Sequence, residues 1–292
     1  MRVSDLLRAS SSYLKQAGVE WSESESLKIF ALACQRSEGE ARIWQVMDPE
    51  VSQVAKREEI SRFKFLLERR GKRIPLQHLA KAAPFASLDL EVGRGVFVPR
   101  PETEVMPQIV SDFLSKRPRP RMADLCAGSG AVGLQVCHSC RAQCFSVEKM
   151  PIAFRYLQKN IAKLRKGFFP GSRCIAVRAD VLHPSLLPSL TSALDCVASN
   201  PPYLSGVFQP EASFDPPEAL FGGGENGMKF ISRLLPVCYR LLKMGGLCII
   251  EHESGQSEEV FSLFSRIGFK GVKTVKDLSG RDRFTQGVKW RI

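Results

Sequence analysis

Residues 121–136 read RMADLCAGSGAVGLQV, an apolar strand pattern that runs into a glycine-containing turn and then a helical pattern. Gly128, Gly130 and Gly133 match the GxGxxG fingerprint of dinucleotide-binding folds. Glu148 follows at about 20 residues, where such folds place an acidic residue that binds ribose hydroxyls. A purely structural strand–helix turn explains this motif about as well. The stretch nevertheless predicts a cofactor loop at the carboxyl end of a buried strand.

Beyond this stretch, strand patterns alternate with helical patterns as far as the C-terminus. The predicted strands are RMADLC, AQCFSVE, RCIAVRAD, LDCVASN, GGLCIIEH, FKGVKTVKD and FTQGVKW. Such alternation predicts an α/β domain with a doubly wound, mostly parallel seven-stranded sheet and helices on both faces. Because no helical pattern separates the last two strands, we expect them to form an antiparallel hairpin that closes the sheet.

The N-terminal part of the chain has a different pattern. Residues 1–84 lack strand alternation and carry apolar residues at helical spacing, which predicts a small all-helical domain. A basic cluster at residues 69–73 lies near its end. Alternating apolar and polar residues around Gly93 and Gly95 then predict a β-hairpin linker, with which the second domain, residues 85–292, begins.

Composition excludes several classes of protein. The 292 residues are 44% hydrophobic and 25% charged, which is ordinary for a globular protein and unlike collagen or long disorder. No apolar run of about 18 residues indicates a membrane span, and the N-terminus lacks a signal-peptide pattern. We therefore expect a cytoplasmic protein with no membrane partner. The net charge of +12 favours an anionic partner such as nucleic acid, although scattered basic residues also confer solubility.

Cysteine spacing suggests a metal site only weakly. Cys137, Cys140 and Cys144, with His138 among them, lie close in sequence, but they span a predicted helix end and strand start. No fourth ligand stands at the spacing of a structural zinc site. Reduced cysteine also packs as a small core hydrophobe. We expect no metal.

The fourth strand of the series ends in Ser199-Asn-Pro-Pro-Tyr203. Two prolines cannot extend a central strand, so the chain must turn sharply there. Asn200 and Tyr203 are therefore expected at the carboxyl edge of the sheet, beside the glycine loop. A plain loop explains Asn-Pro-Pro alone, but the two motifs together indicate a built site.

These motifs resemble a known family. Asn-Pro-Pro-Tyr after DLCAGSG resembles the amino-methyltransferases that use S-adenosylmethionine. FVPRPETE (97–104) and RRGKRIPLQHL (69–79) narrow the resemblance to the release-factor glutamine methyltransferases of the PrmC/HemK type. EALFGGGENGMKF (218–230) and IIEHESGQ (249–256) are also similar to that family, and the similarity is weakest over the first 60 residues.

The resemblance implies a Rossmann-like methyltransferase fold and an activity. The enzyme would methylate the side-chain amide of the glutamine in the GGQ motif of class 1 peptide chain release factors, leaving S-adenosylhomocysteine. It implies a protein substrate and no metal, and we expect a monomer. Direct nucleic-acid binding is compatible with the charge but not required.

The resemblance also implies roles for individual residues. Asn200, Pro201 and Tyr203 would be catalytic. The cofactor-binding residues would be Cys126, Ala127, Gly128, Ser129, Gly130, Glu148, Asp180, Val181 and Asn200. The substrate-binding residues would be Asn200, Pro201, Pro202 and Tyr203, with Arg100, Glu102 and Thr103 in support. Cys126 departs from the glycine usual in the family, which leaves the loop less backbone freedom at that position.

Three alternatives stay open at this point. A DNA or RNA methyltransferase acting on an exocyclic base nitrogen also uses Asn-Pro-Pro-aromatic, and the charge favours it. An NAD-dependent dehydrogenase would use GxGxxG but leaves Asn-Pro-Pro-Tyr unexplained. A nonenzymatic RNA- or ribosome-binding protein leaves both motifs unexplained.

Overall fold

Contacts divide the chain into two units in the computed structural model, which describes residues 1–206 and 210–290. The first unit comprises Met1–Ala82 with Pro210–Phe214. The second comprises Ala83–Gln209 with Asp215–Ile292. Each unit has its own hydrophobic core.

The first unit is helical. Residues 1–82, all of them described, contain six α-helices: α1 Val3–Gln16, α2 Ser22–Cys34, α3 Glu38–Met47, α4 Val51–Val54, α5 Arg57–Gly71 and α6 Leu76–Ala80. Their apolar faces meet around Phe30, whose ring makes edge contacts with Trp44 and Phe63 at centroid distances of 5.9 and 5.5 Å. A capping box between Ser37 and Glu40 satisfies the first backbone N–H groups of α3.

Three basic side chains of the cluster at residues 69–73 bond to other residues of this unit. Arg70 is buried and forms a two-bond ion pair with Glu25 on α2. Arg73 donates to the Gly18 carbonyl at 2.6 Å, and Lys72 pairs with Glu68 at 2.7 Å. Packing of α5 against α2 therefore removes Arg70 from the surface, whereas Arg69 and Lys72 stay exposed.

The predicted hairpin exists, but its turn lies elsewhere. Strands β1 (Ala82–Phe85) and β2 (Leu88–Glu91) are joined at residues 86–87, where Ala86 takes a positive φ of 49°. The prediction of a turn at Gly93 and Gly95 is wrong, because those glycines form a separate turn after β2. The hairpin is also part of the core of the second unit, since Phe85 and Leu90 are fully buried in it.

The described part of the second unit contains a seven-stranded sheet, as predicted. Its strands are β3 Arg121–Leu125, β4 Gln143–Glu148, β5 Arg173–Arg178, β6 Leu194–Ser199, β7 Leu242–Glu251, β8 Phe269–Lys276 and β9 Asp282–Lys289. Their order is β5-β4-β3-β6-β7-β9-β8. Strands β3 to β7 are parallel, whereas β9 pairs antiparallel with both β7 and β8. The closing antiparallel hairpin is thereby confirmed.

Helices cover both faces of the sheet, which explains the apolar strand sequences. The described helices of this unit are α7 Val105–Leu114, α8 Ala131–Ser139, α9 Pro151–Leu164, α10 Pro217–Leu220, α11 Lys229–Leu241 and α12 Ser257–Ile267. Along β7, Leu247 and Ile249 join the core under α7 to α9, whereas Cys248 and Ile250 join the core under α11 and α12. The order reverses between β3 and β6, and sheets of this kind bind ligands at that point.

All nine cysteines are free, and three of them cluster. The sulfur atoms of Cys137, Cys144 and Cys174 lie within 4.8 Å of one another in the core. The third member of the cluster is therefore Cys174 and not Cys140, which is nearer in sequence. Cys174 reaches the cluster because β5 lies beside β4 in the sheet. No His, Asp or Glu of the described chain belongs to this group. In residues 1–206 and 210–290, no helix is long and apolar enough to cross a membrane.

Candidate active site

A cavity of about 570 Å³ opens at the carboxyl ends of the parallel strands. Its volume is in the range of small-molecule sites. Six of the residues predicted from the sequence line it: Cys126, Glu148, Asp180, Val181, Asn200 and Pro202. The remaining lining residues are Phe97, Lys149, Met150, Leu182, His183, Pro184, Glu218, Ala219, Phe230 and Arg233. The two motifs from the sequence therefore meet at one cavity.

The glycine loop turns through left-handed backbone conformations. Gly128 and Gly130 have φ values of 56° and 92°, which glycine adopts without steric cost. Cys126 has φ 62°, so the departure from glycine places a side chain on a strained residue. A Cβ atom at Gly128 would have no neighbour within 4 Å. The loop thus presents bare backbone to open space.

Four predicted cofactor residues, Ala127, Gly128, Ser129 and Gly130, do not line the cavity. Ala127 donates its N–H to the Val147 carbonyl at 2.9 Å, and Gly130 donates to the Ala127 carbonyl at 2.7 Å. The Ser129 carbonyl accepts a bond from Asn160 at 3.0 Å. Ala127, Ser129 and Gly130 therefore shape the turn.

Close packing of α8 on the sheet sets the position of the loop. A Cβ atom at Gly133 would lie 2.5 Å from Ser146 Oγ and 2.8 Å from Cys144 Sγ, so only glycine fits there. The Gly133 N–H donates to the buried Asp124 carboxyl group at 3.0 Å. Burial raises the pKa of Asp124 to about 8. The third glycine of the fingerprint is thus needed for helix–strand packing.

Glu148 ends β4 with both carboxylate oxygens facing backbone donors. Oε2 accepts the Gly128 N–H at 2.8 Å, and Oε1 accepts the Met150 N–H at 2.7 Å. Burial raises the pKa of Glu148, and these N–H groups act in the opposite direction. Each carboxylate oxygen can accept a further bond. The geometry suits a vicinal diol in the cavity.

Asp180 lies at the cavity wall after β5. Its Oδ1 accepts the Leu182 N–H at 2.9 Å, and its Oδ2 pairs with Lys149 Nζ at 2.8 Å. The bond from Lys149 lowers the pKa of Asp180, which keeps it ionised. Val181 beside it is buried. This part of the cavity therefore combines a fixed charge with an apolar wall.

The Asn-Pro-Pro-Tyr loop follows β6 directly, as its prolines require. Asn200 Nδ2 donates to Thr103 Oγ1 at 3.2 Å, which turns the amide oxygen away from Thr103. Pro201 and Pro202 are buried. No backbone N–H group of the described residues donates to the Pro201 carbonyl. The loop thus offers two carbonyl-type oxygens as acceptors.

Tyr203 is anchored by its hydroxyl group. The phenol donates to Glu251 Oε1 at 3.0 Å, and burial raises the pKa of Tyr203 well above its usual value. Gln256 Nε2 donates to the Tyr203 carbonyl at 2.8 Å. A Cβ atom at Gly227 would lie 2.0 Å from that carbonyl. The segment GGGENG (222–227) therefore packs closely against the Asn-Pro-Pro-Tyr loop. No side chain fits at Gly227.

The three predicted supporting residues lie in different surroundings. Arg100 pairs with the buried Asp215 at 2.5 Å, and Asp215 also accepts the Val98 N–H at 3.0 Å. Thr103 is buried against Asn200, whereas Glu102 is exposed. Thr103 thus forms a hydrogen bond with a predicted catalytic residue.

Sequence reasoning missed two buried acids of this site, Glu251 and Asp215. A signal exists for Glu251, since a carboxylate closes the apolar strand GGLCIIE at the functional edge of the sheet. Asp215 has no such signal, because its partners Val98 and Arg100 lie more than a hundred residues away in sequence.

Comparisons with known proteins agree with this geometry. A family model described as conserved hypothetical protein 95 matches residues 88–214. A methyltransferase from Pyrococcus furiosus of known structure superposes over 77% of this chain and 99% of its own, with a TM-score of 0.51 at 18% identity. That likeness shows the fold, and the predicted Rossmann-like architecture is confirmed.

Two curated relatives match almost end to end. Release factor glutamine methyltransferase from Bifidobacterium longum is 34% identical over 99% of this chain and 100% of its own length. The release factor glutamine methyltransferase from Mycolicibacterium smegmatis is 37% identical over 99% of this chain and 98% of its own length. Identity at this level over whole chains establishes common descent. The chain therefore belongs to the family of release factor glutamine methyltransferases.

Proposed function

We propose that this enzyme transfers a methyl group from S-adenosylmethionine to the side-chain amide nitrogen of the GGQ glutamine in class 1 release factors. The observation that carries the proposal is Asn200, which lies on the cavity wall with its Nδ2 held by Thr103 at 3.2 Å. Its oxygen is thereby left as an acceptor for an incoming amide N–H.

The residues present fit S-adenosylmethionine. The open space at Gly128 admits a ligand against the backbone, and Glu148 has acceptor capacity for both ribose hydroxyls. Asp180, Val181 and Leu182 line the cavity where the adenine would lie. When bound, the cofactor supplies an electrophilic methyl group. The reaction we propose involves no metal.

The protein contributes mainly orientation. An amide nitrogen is a poor nucleophile because its lone pair is delocalised into the carbonyl. Asn200 Oδ1 and the Pro201 carbonyl would each accept one of its N–H groups, which favours a tetrahedral nitrogen and directs the lone pair. Buried prolines and Tyr203 would exclude water. Orientation and fixed dipoles of this kind are the main sources of rate enhancement here.

The first unit, within residues 1–84, is proposed to dock the release factor. A single glutamine side chain offers too little contact area for selective binding, so recognition must come from remote surfaces. Exposed apolar side chains on α3, namely Ile43, Val46 and Met47, are available for such contacts. The proposed substrate also places the enzyme in the cytoplasm.

The test is transfer of labelled methyl from S-adenosylmethionine to purified release factor and, in parallel, to DNA and RNA. We expect label in the release factor alone. Label in nucleic acid with none in the release factor would overturn the proposal and favour a base methyltransferase.

A further inference from the structure

Asp215 carries a fully buried carboxylate to which the reaction described so far assigns no role. Its Oδ1 accepts the backbone N–H of Val98 at 3.0 Å. Its Oδ2 accepts from Arg100 Nη2 at 2.5 Å. A buried charge is costly unless such partners compensate for its lost hydration. Both partners belong to one short segment, Phe97 to Arg100, which lies more than a hundred residues earlier in the chain.

The segment that Asp215 holds is neither helix nor strand. Val96 and Val98 are buried in the core of the second unit, whereas Phe97 between them lines the cavity. The Arg100 guanidinium lies over the Phe97 ring, with Cζ 5.1 Å from the ring centroid. Observed contacts therefore run from the Asp215 carboxylate to Val98 and Arg100, and from Arg100 to a ring on the cavity wall.

The two stretches of chain that this carboxylate joins both continue into the site. Thr103 follows the first stretch and accepts the bond from Asn200 Nδ2 at 3.2 Å. Glu218 and Ala219 follow Asp215 on α10 and line the cavity. The ion pair thus ties together two parts of the wall that belong to distant parts of the sequence.

We propose that Asp215 is a positioning residue, which holds the segment 97–100 so that Phe97 keeps its place on the cavity wall and Thr103 keeps its bond to Asn200. Without the carboxylate, a backbone N–H and a guanidinium lose their shared partner, and the segment is free to shift. This inference rests on the proposed methyl transfer. Glu148, which is proposed to bind the cofactor, ends a different strand, so cofactor binding should not depend on Asp215.

The chain contains a matched arrangement at the opposite edge of the sheet. Asp195 near the start of β6 accepts the Arg121 N–H at 2.9 Å and pairs with Arg117 at 3.5 Å, with a further ion pair to Lys243. The Arg117 guanidinium lies over the Phe113 ring, 4.2 Å from its centroid. These five residues lie outside the cavity lining. Asp195 therefore serves as a control for the loss of a buried carboxylate that holds a backbone N–H and an arginine.

Steady-state kinetics and calorimetry test the proposal. Asp215→Ala should lower kcat for release factor by roughly 10- to 10²-fold, because small displacements of positioning groups are costly. The Kd for S-adenosylmethionine should stay unchanged. Asp215→Asn keeps an acceptor for the Val98 N–H and should lose less. Asp195→Ala and Asp195→Asn should lower the melting temperature by amounts comparable to their Asp215 counterparts and leave kcat unchanged.

Arg100 is tested in the same assay. Arg100→Ala should also lower kcat, and its addition to Asp215→Ala should lower kcat no further, because residues that act as a unit are not additive. Additive losses, with a raised KM for release factor in Arg100→Ala, would show that Arg100 contacts the substrate independently of Asp215 and would contradict the proposal.

A spectroscopic measurement separates positioning from loss of stability. The aromatic ¹³C signals of Phe97 in the ligand-free protein, assigned with Phe97→Leu, should shift in Asp215→Ala but not in Asp195→Ala. Equal kcat losses in the two aspartate variants, or unchanged Phe97 signals in Asp215→Ala, would overturn the inference. If wild-type enzyme methylates no release factor, the proposed function itself fails, and the Phe97 signals still decide whether Asp215 holds the ring in place.

Discussion

The side-chain amide of Asn200 has a donor and an acceptor, and we assign a separate partner to each. Its nitrogen donates to Thr103, and in the proposed reaction its oxygen accepts from the substrate amide. Because the residue follows the end of β6 at a turn, we expect the fold to survive the loss of its side chain. Its removal should therefore affect chemistry more than stability.

Asn200→Ala should reduce methyl transfer by roughly 10²–10³-fold, the scale for loss of one oriented polar group. The melting temperature and calorimetric binding of S-adenosylmethionine serve as controls, because both report on the rest of the site. A variant that methylates at nearly the wild-type rate would show that the reacting amide is held elsewhere.

Glu148 is the residue on which we expect the choice of cofactor to depend. Glu148→Ala should weaken binding of S-adenosylmethionine by about 1.5–3 kcal/mol, the range for hydrogen bonds to a charged group. Isothermal titration calorimetry measures this change. Asp89→Ala removes an exposed carboxylate of the same unit, paired with Lys163, and should leave affinity unchanged. Tight binding of NAD without binding of S-adenosylmethionine would instead support a dehydrogenase.

At the scale of elements, the sheet could be predicted because its strands are buried on both faces. The run LDCVAS on β6 is wholly buried, and its sequence is accordingly mostly apolar without a polar face. Asn-Pro-Pro after β6 could be placed at the functional edge for a related reason, since proline must end the strand.

Long-range pairings were not predictable in the same way. Arg70 stands in the basic cluster at residues 69–73, and its partner Glu25 lies 45 residues away in sequence. The hairpin turn was misplaced because Ala86 takes a positive φ that glycine usually supplies. Cys174 joins Cys137 and Cys144 only through the pairing of β4 with β5. Such contacts depend on tertiary packing, which spacing along the chain does not encode.

The helical elements of the first unit carry the docking proposal. The structure places Ala83 and Phe85 in the core of the second unit, so residues 1–81 are the segment to remove. The truncated enzyme should bind S-adenosylmethionine nearly as tightly as the full chain but methylate intact release factor far more slowly. A short GGQ peptide should be a poor substrate for both forms.

Steady-state kinetics and calorimetry on the two forms test this prediction. If the truncated protein loses cofactor binding and thermal stability together, these helices serve the fold of the catalytic unit. The docking proposal would then be wrong.

At the scale of the whole molecule, buried carboxyl groups should make stability depend on pH. Burial raises the pKa values of Asp124, Glu148, Asp215 and Glu251. A raised pKa means that the folded state holds its proton at a pH where the unfolded state has lost it. These groups therefore lower the free energy of unfolding as the pH rises.

Asp124 should show this most clearly, because its pKa rises from 3.8 to about 8. It should reduce the free energy of unfolding by up to ~1.4 kcal/mol per pH unit between those values. Asp124→Asn keeps an acceptor for the Gly133 N–H and should flatten the profile, with the largest gain in stability near pH 8. Urea unfolding at pH 5 to 8 measures both proteins. Parallel profiles would mean that Asp124 ionises in the folded state without penalty.

The central claim is methylation of one glutamine side chain, and mass spectrometry of the modified release factor tests it most directly. Wild-type release factor incubated with enzyme and S-adenosylmethionine should gain one methyl group, located by fragmentation on the glutamine of GGQ. A release factor in which that glutamine is replaced by alanine should gain none. Methylation of the alanine variant, or a methyl group located on any other residue, would contradict the account.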